Sequence, residues 1–396
     1  MNYRTNPKTG RKHSLLGFGA LRFPPMKEDP GRIDEEESIR MLRYAIDHGV
    51  NYIDTAYTYL DGKSEELLAE ALKDGYGDKV AVATKLPSMM LAKAEEHEKY
   101  LETSLRRLKR DNLEFYLLHG ITERYWPTIQ KLDTVSFIQK KKEEGVVKNI
   151  GFSFHGETFA IFKEVIDFAP WDCVQIQLNY MDANIQAGIK GLEYAASKGL
   201  AVIIMEPLKG GKLTTNIPQQ ILDLMDTLEV KRTPADWGLR WVANRPEVTT
   251  ILSGMSTMDQ VKENIDILSD ADAGCLSEKE IAILARVAEE YSKLIAYQCT
   301  GCAYCRSGCP KKIEIPRIIG MLNDASIYNA YERAKFDINH FIRQPPSTCV
   351  VCKKCEDVCP QHLKISDIMK EAAQYEDESM QYWRAFVKPE NEETGR

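Results

Sequence analysis

Asn51-Tyr-Ile-Asp54-Thr-Ala-Tyr-Thr-Tyr59 is a short apolar run that ends in a knot of polar and ionisable side chains. The same rhythm recurs at 15–21, 80–84, 113–118, 149–153, 173–178, 200–205 and 249–252, which with 51–55 makes eight strand candidates. Amphipathic stretches follow them, among them 64–72, 94–108, 136–144, 158–165, 189–197 and 234–243. Strands alternating with helices predict a parallel sheet covered by helices. Eight repeats over about 250 residues is the size of a (β/α)8 TIM barrel. An open doubly wound sheet would usually carry Gly-x-Gly-x-x-Gly after its first strand. Gly17-Phe-Gly19 lacks the third glycine and the spacing.

Beyond Ser277 the texture changes. The stretch 278–296 reads as one connecting helix, and two cysteine runs of one pattern follow. The first is Cys299-x2-Cys302-x2-Cys305-x3-Cys309-Pro310, and the second is Cys349-x2-Cys352-x2-Cys355-x3-Cys359-Pro360. This is the bacterial-ferredoxin spacing for a pair of [4Fe–4S] clusters. In ferredoxins with this run the fourth cysteine ligates the other cluster. Cys299, Cys302, Cys305 and Cys359 are therefore assigned to one cluster, and Cys349, Cys352, Cys355 and Cys309 to the second. Disulfides fit poorly in a chain whose first twelve residues, polar and basic, form no secretory signal. Structural zinc pairs two Cys-x2-Cys knuckles and does not need the third and fourth thiols in this register. The separator 316–342 has helical periodicity, so the tail reads as a mainly helical ferredoxin-like domain.

The expected organisation is α/β: a barrel over 1–276, a connecting helix over 277–297, an iron–sulfur domain over 298–375 and a polar tail over 376–396. A net charge of −7 argues against a nucleic-acid surface. No apolar run approaches the ~18 residues of a membrane span. Reduced, cluster-bound thiols imply a cytoplasmic setting.

In a barrel of this kind, catalytic groups lie at the C-terminal ends of the strands. Those ends carry Asp54, Lys85 and His119, with Tyr59 five residues beyond Asp54 in the same loop. Asp54-Thr-Ala-Tyr-Thr-Tyr59, Thr84-Lys85 and Leu117-Leu118-His119 resemble the tetrad of the aldo-keto reductases. The resemblance covers roughly residues 3–268, and the fused tail is similar to the iron–sulfur-containing branch of that family. It implies that a nicotinamide cofactor, NADP(H) or NAD(H), exchanges hydride with a small carbonyl or alcohol. Tyr59 is then the general acid or base. Lys85, held by Asp54, lowers the phenol pKa, and His119 orients the carbonyl. Tyr57 is the rival acid, and the register favours Tyr59.

The resemblance also implies nucleotide positions. Gly19 ends the first strand. Ser153 and Gln175 face the carboxamide. Met205 stands where an aromatic ring commonly stacks on the nicotinamide. Pro207, Leu208 and Gly210, with Lys209, form a loop for the pyrophosphate. Ser253, Gly254, Ser256 and Thr257 open a helix whose N–H groups suit a phosphate. Gln260, Glu263 and Asn264 lie along that helix, with Asn264 on the adenine. The cation that usually marks a preference for NADPH is absent at Thr257 and Gln260, with Lys262 and Lys209 as substitutes. Tyr125-Trp126-Pro127, just after His119, is a candidate pocket lining, and Cys173 is a core residue.

Hydride carries two electrons and a cluster takes one, so a flavin commonly mediates between them, yet no flavin motif is evident. The clusters then either stabilise the tail or serve a redox partner protein. The alternative is an electron-transfer module that uses the barrel as a docking or sensing platform.

Overall fold

The structure is a computed structural model that describes residues 1–29, 32–156, 158–299, 304–359 and 361–377. The chain divides into two compact units: Met1–Thr214 with Val230–Ala282, and Thr215–Glu229 with Ile283–Arg396.

The first unit holds a closed, all-parallel barrel, as the strand rhythm predicts. Its strands are β3 (Leu16–Gly19), β4 (Tyr52–Asp54), β5 (Ala81–Leu86), β6 (Leu113–Ile121), β7 (Val147–Phe154), β8 (Cys173–Gln177), β9 (Ala201–Met205) and β10 (Val248–Ser253), with β10 paired back onto β3. Two strands precede it, β1 (Tyr3–Thr5) and β2 (Lys12–Ser14), which pair as an antiparallel hairpin. At three residues each, these strands are too short to show an alternating pattern. Arg4 donates to the carbonyls of Arg245 and Val248 at 2.6 and 2.8 Å. This fastens the hairpin beside the start of β10, at the end of the barrel away from the strand C-termini.

The interior is filled from several strands: Tyr52, Ala81, Ala83, Phe115, Leu117, Cys173, Ala201, Ile203 and Leu252 form one cluster. Alanines on β5 make room for Tyr52 and Phe115, the large-against-small alternation a close-packed core needs. Gly151 is required in β7 because a Cβ there would stand 2.4 Å from the Cys173 carbonyl and 2.5 Å from its sulfur. Cys173 is fully buried, as expected of a core residue.

Helices follow the strands. Those at Glu35–Asp47, Phe159–Phe168, Pro234–Ala243 and Met258–Asp270 start from Asp34, Thr158, Thr233 and Thr257, whose side chains accept an N-terminal backbone N–H. The helix expected to open after Thr257 runs on beyond Asn264 to Asp270. Trp126 begins a further short helix, Trp126–Lys131, and is turned inward. Its indole N–H donates to Glu164 at 2.7 Å and its ring meets Phe168 edge-on. It therefore packs against a neighbouring helix and does not line a pocket.

The second unit is helical. Ile315–Tyr328 and Tyr331–Phe341 are the separator helices, broken at Asn329 in the left-handed region (φ 49°). Ile365–Ala372 packs with them, and two one-turn helices, Tyr304–Ser307 and Lys354–Asp357, carry cysteines. Ile315, Ile318, Ile319, Leu322, Ile368 and Met369 are all almost fully buried in its core. Among the described residues no helix is long and apolar enough to cross a membrane.

Candidate active site and cysteine centres

Asp54 is the last residue of β4 and Lys85 the next to last of β5, so both reach the catalytic end of the barrel. Lys85 Nζ donates to both Asp54 carboxylate oxygens at 2.6 Å, to the Thr55 carbonyl at 2.8 Å and to the Tyr59 hydroxyl at 3.3 Å. Lys85 is fully buried and Asp54 nearly so. Burial works against the Lys85 charge, but Asp54 and Tyr59 outweigh it and hold the ammonium above its ordinary range. His119, on β6, lies edge-on to Tyr59 with ring centroids 5.7 Å apart. Burial, then Lys85 and His155, drive its pKa down to about 3. It is neutral, and its buried Nδ1 has no protein partner.

Tyr59 heads a turn in which Leu60, Asp61 and Gly62 all take positive φ (52°, 56° and 89°). Two non-glycine residues in that region store strain that surrounding structure must hold. A brace does so. Thr84 donates to the buried Glu65 at 2.6 Å, and Arg107 donates to Glu65 at 3.2 Å and to the Tyr57 carbonyl at 3.0 Å. Gly62 itself sits at φ 89°, which favours glycine, and a Cβ there would also push the Arg107 guanidinium aside at 2.4 Å. Tyr57 lies under that guanidinium at 4.5 Å and against Tyr100, whereas Tyr59 faces Lys85. Lys85 pulls the Tyr59 phenol down, as a nearby cation should, but burial is the larger effect and the net shift is upward. The phenol is protonated at neutral pH.

The residues expected to meet a nucleotide fall into three groups. Ser153 and Gln175 are paired across β7 and β8 and are buried. Ser153 Oγ accepts from the Gly120 N–H at 2.8 Å. Gln175 steadies the Asp54 charge, and its buried Oε1 has no partner. An orphaned acceptor on a residue bonded to Asp54 fits a carboxamide N–H. Met205, half-buried, packs on the barrel interior cluster.

The second group is the loop after β9. A Cβ at Gly238 would stand 2.6 Å from the Leu208 side chain, so glycine lets this loop approach its neighbouring helix, and Pro207 is buried. Lys209, expected to serve phosphate, is instead held by Asp182, with Nζ 2.8 and 2.7 Å from the two carboxylate oxygens. Its ammonium is therefore already committed.

The third group surrounds β10. Gly19 lies against the Ser253 carbonyl. Thr257 accepts from the Gln260 N–H at 3.3 Å, and Gln260 Oε1 accepts from the Ser256 N–H at 2.8 Å. Two N–H groups at this helix start, those of Ser256 and Gln260, are thus taken by side chains. Asn264 is buried and donates to Ser253 Oγ at 2.9 Å, and Glu263 accepts from Thr233 at 2.7 Å.

Two residues escape a reading by motif. Arg22 follows β3 by three positions. Its stem lies across Gly254 and its guanidinium over Gly210, where Cβ atoms would stand only 3.1 and 2.9 Å away, and its carbonyl accepts from Ser256 Oγ at 2.8 Å. Arg22 therefore bridges the loops after β9 and β10. Glu206 takes φ +54° immediately after β9, its carbonyl pinned by Asn179 at 3.1 Å, and its charge is felt by Tyr59 and His155. A cation or carboxylate just past a strand end was the available signal for both.

In the second unit Cys309, Cys349, Cys352 and Cys355 line one surface cavity. Cys309 of the first run thus shares a cavity with three thiols of the second. Four thiols lining one cavity are the donor set that an iron–sulfur cluster takes. Cys299, Cys305 and Cys359 pack on the same apolar core, and Cys302 lies outside the described residues. The described cysteines are all free thiols.

A closed parallel barrel with Asp, Lys and His at consecutive strand ends and a Tyr beside the Lys defines an oxidoreductase of carbonyl-reducing type. The profile of the aldo/keto reductase family matches residues 15–289, and that of a 4Fe-4S dicluster domain matches residues 297–363. The chain belongs to the aldo/keto reductase family. It is 31% identical to an uncharacterized oxidoreductase of Schizosaccharomyces pombe over 63% of this chain and 80% of that protein. It is 27% identical to L-galactose dehydrogenase of Arabidopsis thaliana over 72% and 94% respectively. An aldo-keto reductase of Klebsiella pneumoniae in complex with NADPH superposes with a TM-score of 0.59 at 25% identity, covering 73% of this chain and 96% of that one.

Proposed function

We propose that the barrel exchanges hydride between a nicotinamide dinucleotide and a small carbonyl or alcohol, with Tyr59 as the proton donor or acceptor. The observation that carries this reading is the contact of the buried Lys85 ammonium with the Tyr59 hydroxyl at 3.3 Å while Asp54 holds the ammonium in place. The dinucleotide, when bound, supplies or takes the hydride. In reduction Tyr59 Oη gives its proton to the oxygen of the carbonyl. Burial keeps that proton on the phenol until it is needed, and Lys85 offsets the charge left behind. Neutral His119 donates a hydrogen bond that orients the carbonyl. Gln175 and Ser153 suit the carboxamide, and the loops joined by Arg22 suit the phosphates. Thr257 and Gln260 offer no cation, so the reading admits NADP(H) and NAD(H).

The eight cysteines would hold two [4Fe–4S] clusters, in the sets Cys299, Cys302, Cys305 and Cys359, and Cys309, Cys349, Cys352 and Cys355. The cavity shared by the second set supports the crossed assignment. Clusters of this kind carry single electrons when bound, and a reducing cytoplasm suits thiols that must stay free to hold them. The proposed domain limits are 1–276, 277–297, 298–375 and 376–396.

The test is Tyr59→Phe in cluster-loaded protein. Loss of carbonyl reduction with nucleotide binding and iron content intact supports the reading. Undiminished carbonyl reduction would overturn it. A protein whose sole activity is cluster reduction by a partner, unaffected by the change, would be an electron-transfer module.

A further inference from the structure

The cluster site of Cys309, Cys349, Cys352 and Cys355 comes to the surface, and its surroundings differ from the rest of the chain. Cys352 is exposed. Next to it Val350 and Val351 are 54% and 59% exposed, unusual for β-branched apolar side chains. Lys311 and Lys353 line the same cavity, and Lys312 and Lys354 stand exposed beside them. Residues 306–317 and 349–364 hold seven Lys and Arg against three Asp and Glu, in a chain whose net charge is −7. Two of those acids are engaged: Glu314 with Arg317 at 3.2 Å, and Glu356 with the Ser366 N–H at 2.8 Å.

A small apolar patch rimmed by one sign of charge is the anatomy of a steered, transient interface. Electron transfer also requires close approach, and Cys352 is the one exposed thiol of the four. We propose that Val350, Val351, Lys311, Lys312, Lys353 and Lys354 form the docking face for an acidic protein that carries one electron at a time. In the transfer the carrier is oxidised by one electron and the cluster held by the four thiols is reduced by one, or the reverse. No bond is made and no proton moves. The face gives the tail a one-electron port that does not depend on the hydride chemistry of the barrel.

The proposal rests on the cysteine assignment above, and iron content measured on the same samples separates failure of that assignment from failure of the docking face. The experiment uses the full, cluster-loaded chain under anaerobic conditions. A plant-type [2Fe–2S] ferredoxin serves as the acidic probe and cytochrome c as the basic one. Binding is read by calorimetry and cluster reduction by stopped-flow absorbance. Ferredoxin is expected to bind and cytochrome c not to bind. Ferredoxin affinity should fall about tenfold or more as salt shortens the screening length from ~30 to ~8 Å. Lys311→Glu with Lys353→Glu should weaken it by a similar factor with iron content unchanged. If that pair disturbs cluster loading, Lys312→Gln with Lys354→Gln should still weaken binding several-fold. The proposal is overturned if these changes shift the cluster midpoint potential but leave ferredoxin affinity untouched, because the lysines would then merely balance cluster charge. Preference for cytochrome c, or no ferredoxin binding at low salt, overturns it equally.

Discussion

Lys85 and Asp54 meet through two hydrogen bonds of 2.6 Å at a point shut off from solvent, and the remaining reach of the ammonium is spent on the Tyr59 hydroxyl at 3.3 Å. A cation fixed so firmly cannot drift toward water as charge develops on the phenol. Tyr59→Phe should therefore lower kcat by about 10²–10⁴-fold, the usual worth of a positioned general acid. Nucleotide affinity should barely change, since the hydroxyl is not among the groups suited to the dinucleotide. Steady-state kinetics with fluorescence titration of the nucleotide checks both. A loss confined to KM would refute the role.

The same pair predicts a stability effect. Asp54→Asn leaves the Lys85 charge buried with only neutral partners, and breaking a buried pair this way costs about 3–5 kcal/mol. Replacing both partners, Asp54→Asn with Lys85→Met, removes the stranded charge and should recover much of that loss. Thermal unfolding of the two variants tests it. A double variant less stable than Asp54→Asn alone would contradict the argument.

The barrel and its four strand-end groups are legible in the sequence because both rest on local signals. Each strand is a bounded apolar run, and Asp54, Lys85 and His119 stand where such runs stop. The two cysteine runs are legible for the same reason. What stays hidden is contact between segments distant along the chain. Nothing near Lys209 announces that Asp182 holds it, and nothing near Gly62 announces Arg107. Nothing after Thr257 announces that the Gln260 side chain folds back on the Ser256 N–H. Trp126 looks like pocket lining because it follows His119, but the apolar demand of the neighbouring helix turns it inward.

Arg22 lies across the loops after β9 and β10, with its guanidinium over Gly210. If dinucleotide phosphates pass between those loops, Arg22→Met removes a charge-assisted partner for them. The dissociation constants of NADPH and NADH should then rise about tenfold or more, corresponding to ~1.4 kcal/mol or more, with kcat little changed at saturation. A rise for NADPH alone would assign the guanidinium to the 2′-phosphate instead. No rise for either would remove Arg22 from the nucleotide path.

His13 closes the other end of the barrel, its ring edge-on to Tyr52 and Phe115 at 5.5 Å and both nitrogens without partners. Burial, helped by Arg11, lowers its pKa to about 4. The unfolded chain takes up that proton near its ordinary value of about 6.5. Between those two values the unfolded state binds more protons, so stability falls as pH falls, by up to ~1.4 kcal/mol per pH unit from this group. Below about pH 4 its contribution is flat. His13→Leu should shallow the decline of melting temperature between pH 6.5 and 4 relative to the parent protein. Parallel slopes for the two proteins would show that other groups cause the decline.

Cys309 lines one cavity with Cys349, Cys352 and Cys355, although forty residues of chain separate it from the first of them. If each cluster takes its fourth thiolate from the other run, single replacements must sort by cavity and not by run. Cys309→Ala should resemble Cys352→Ala, and Cys359→Ala should resemble Cys299→Ala. Each should keep about half the iron, with one cluster disrupted and its neighbour left. The residual electron paramagnetic resonance spectrum after reduction identifies the survivor. If Cys309→Ala leaves the same spectrum as Cys299→Ala, the fourth cysteines do not cross, and the cavity gathers its thiols for some other reason.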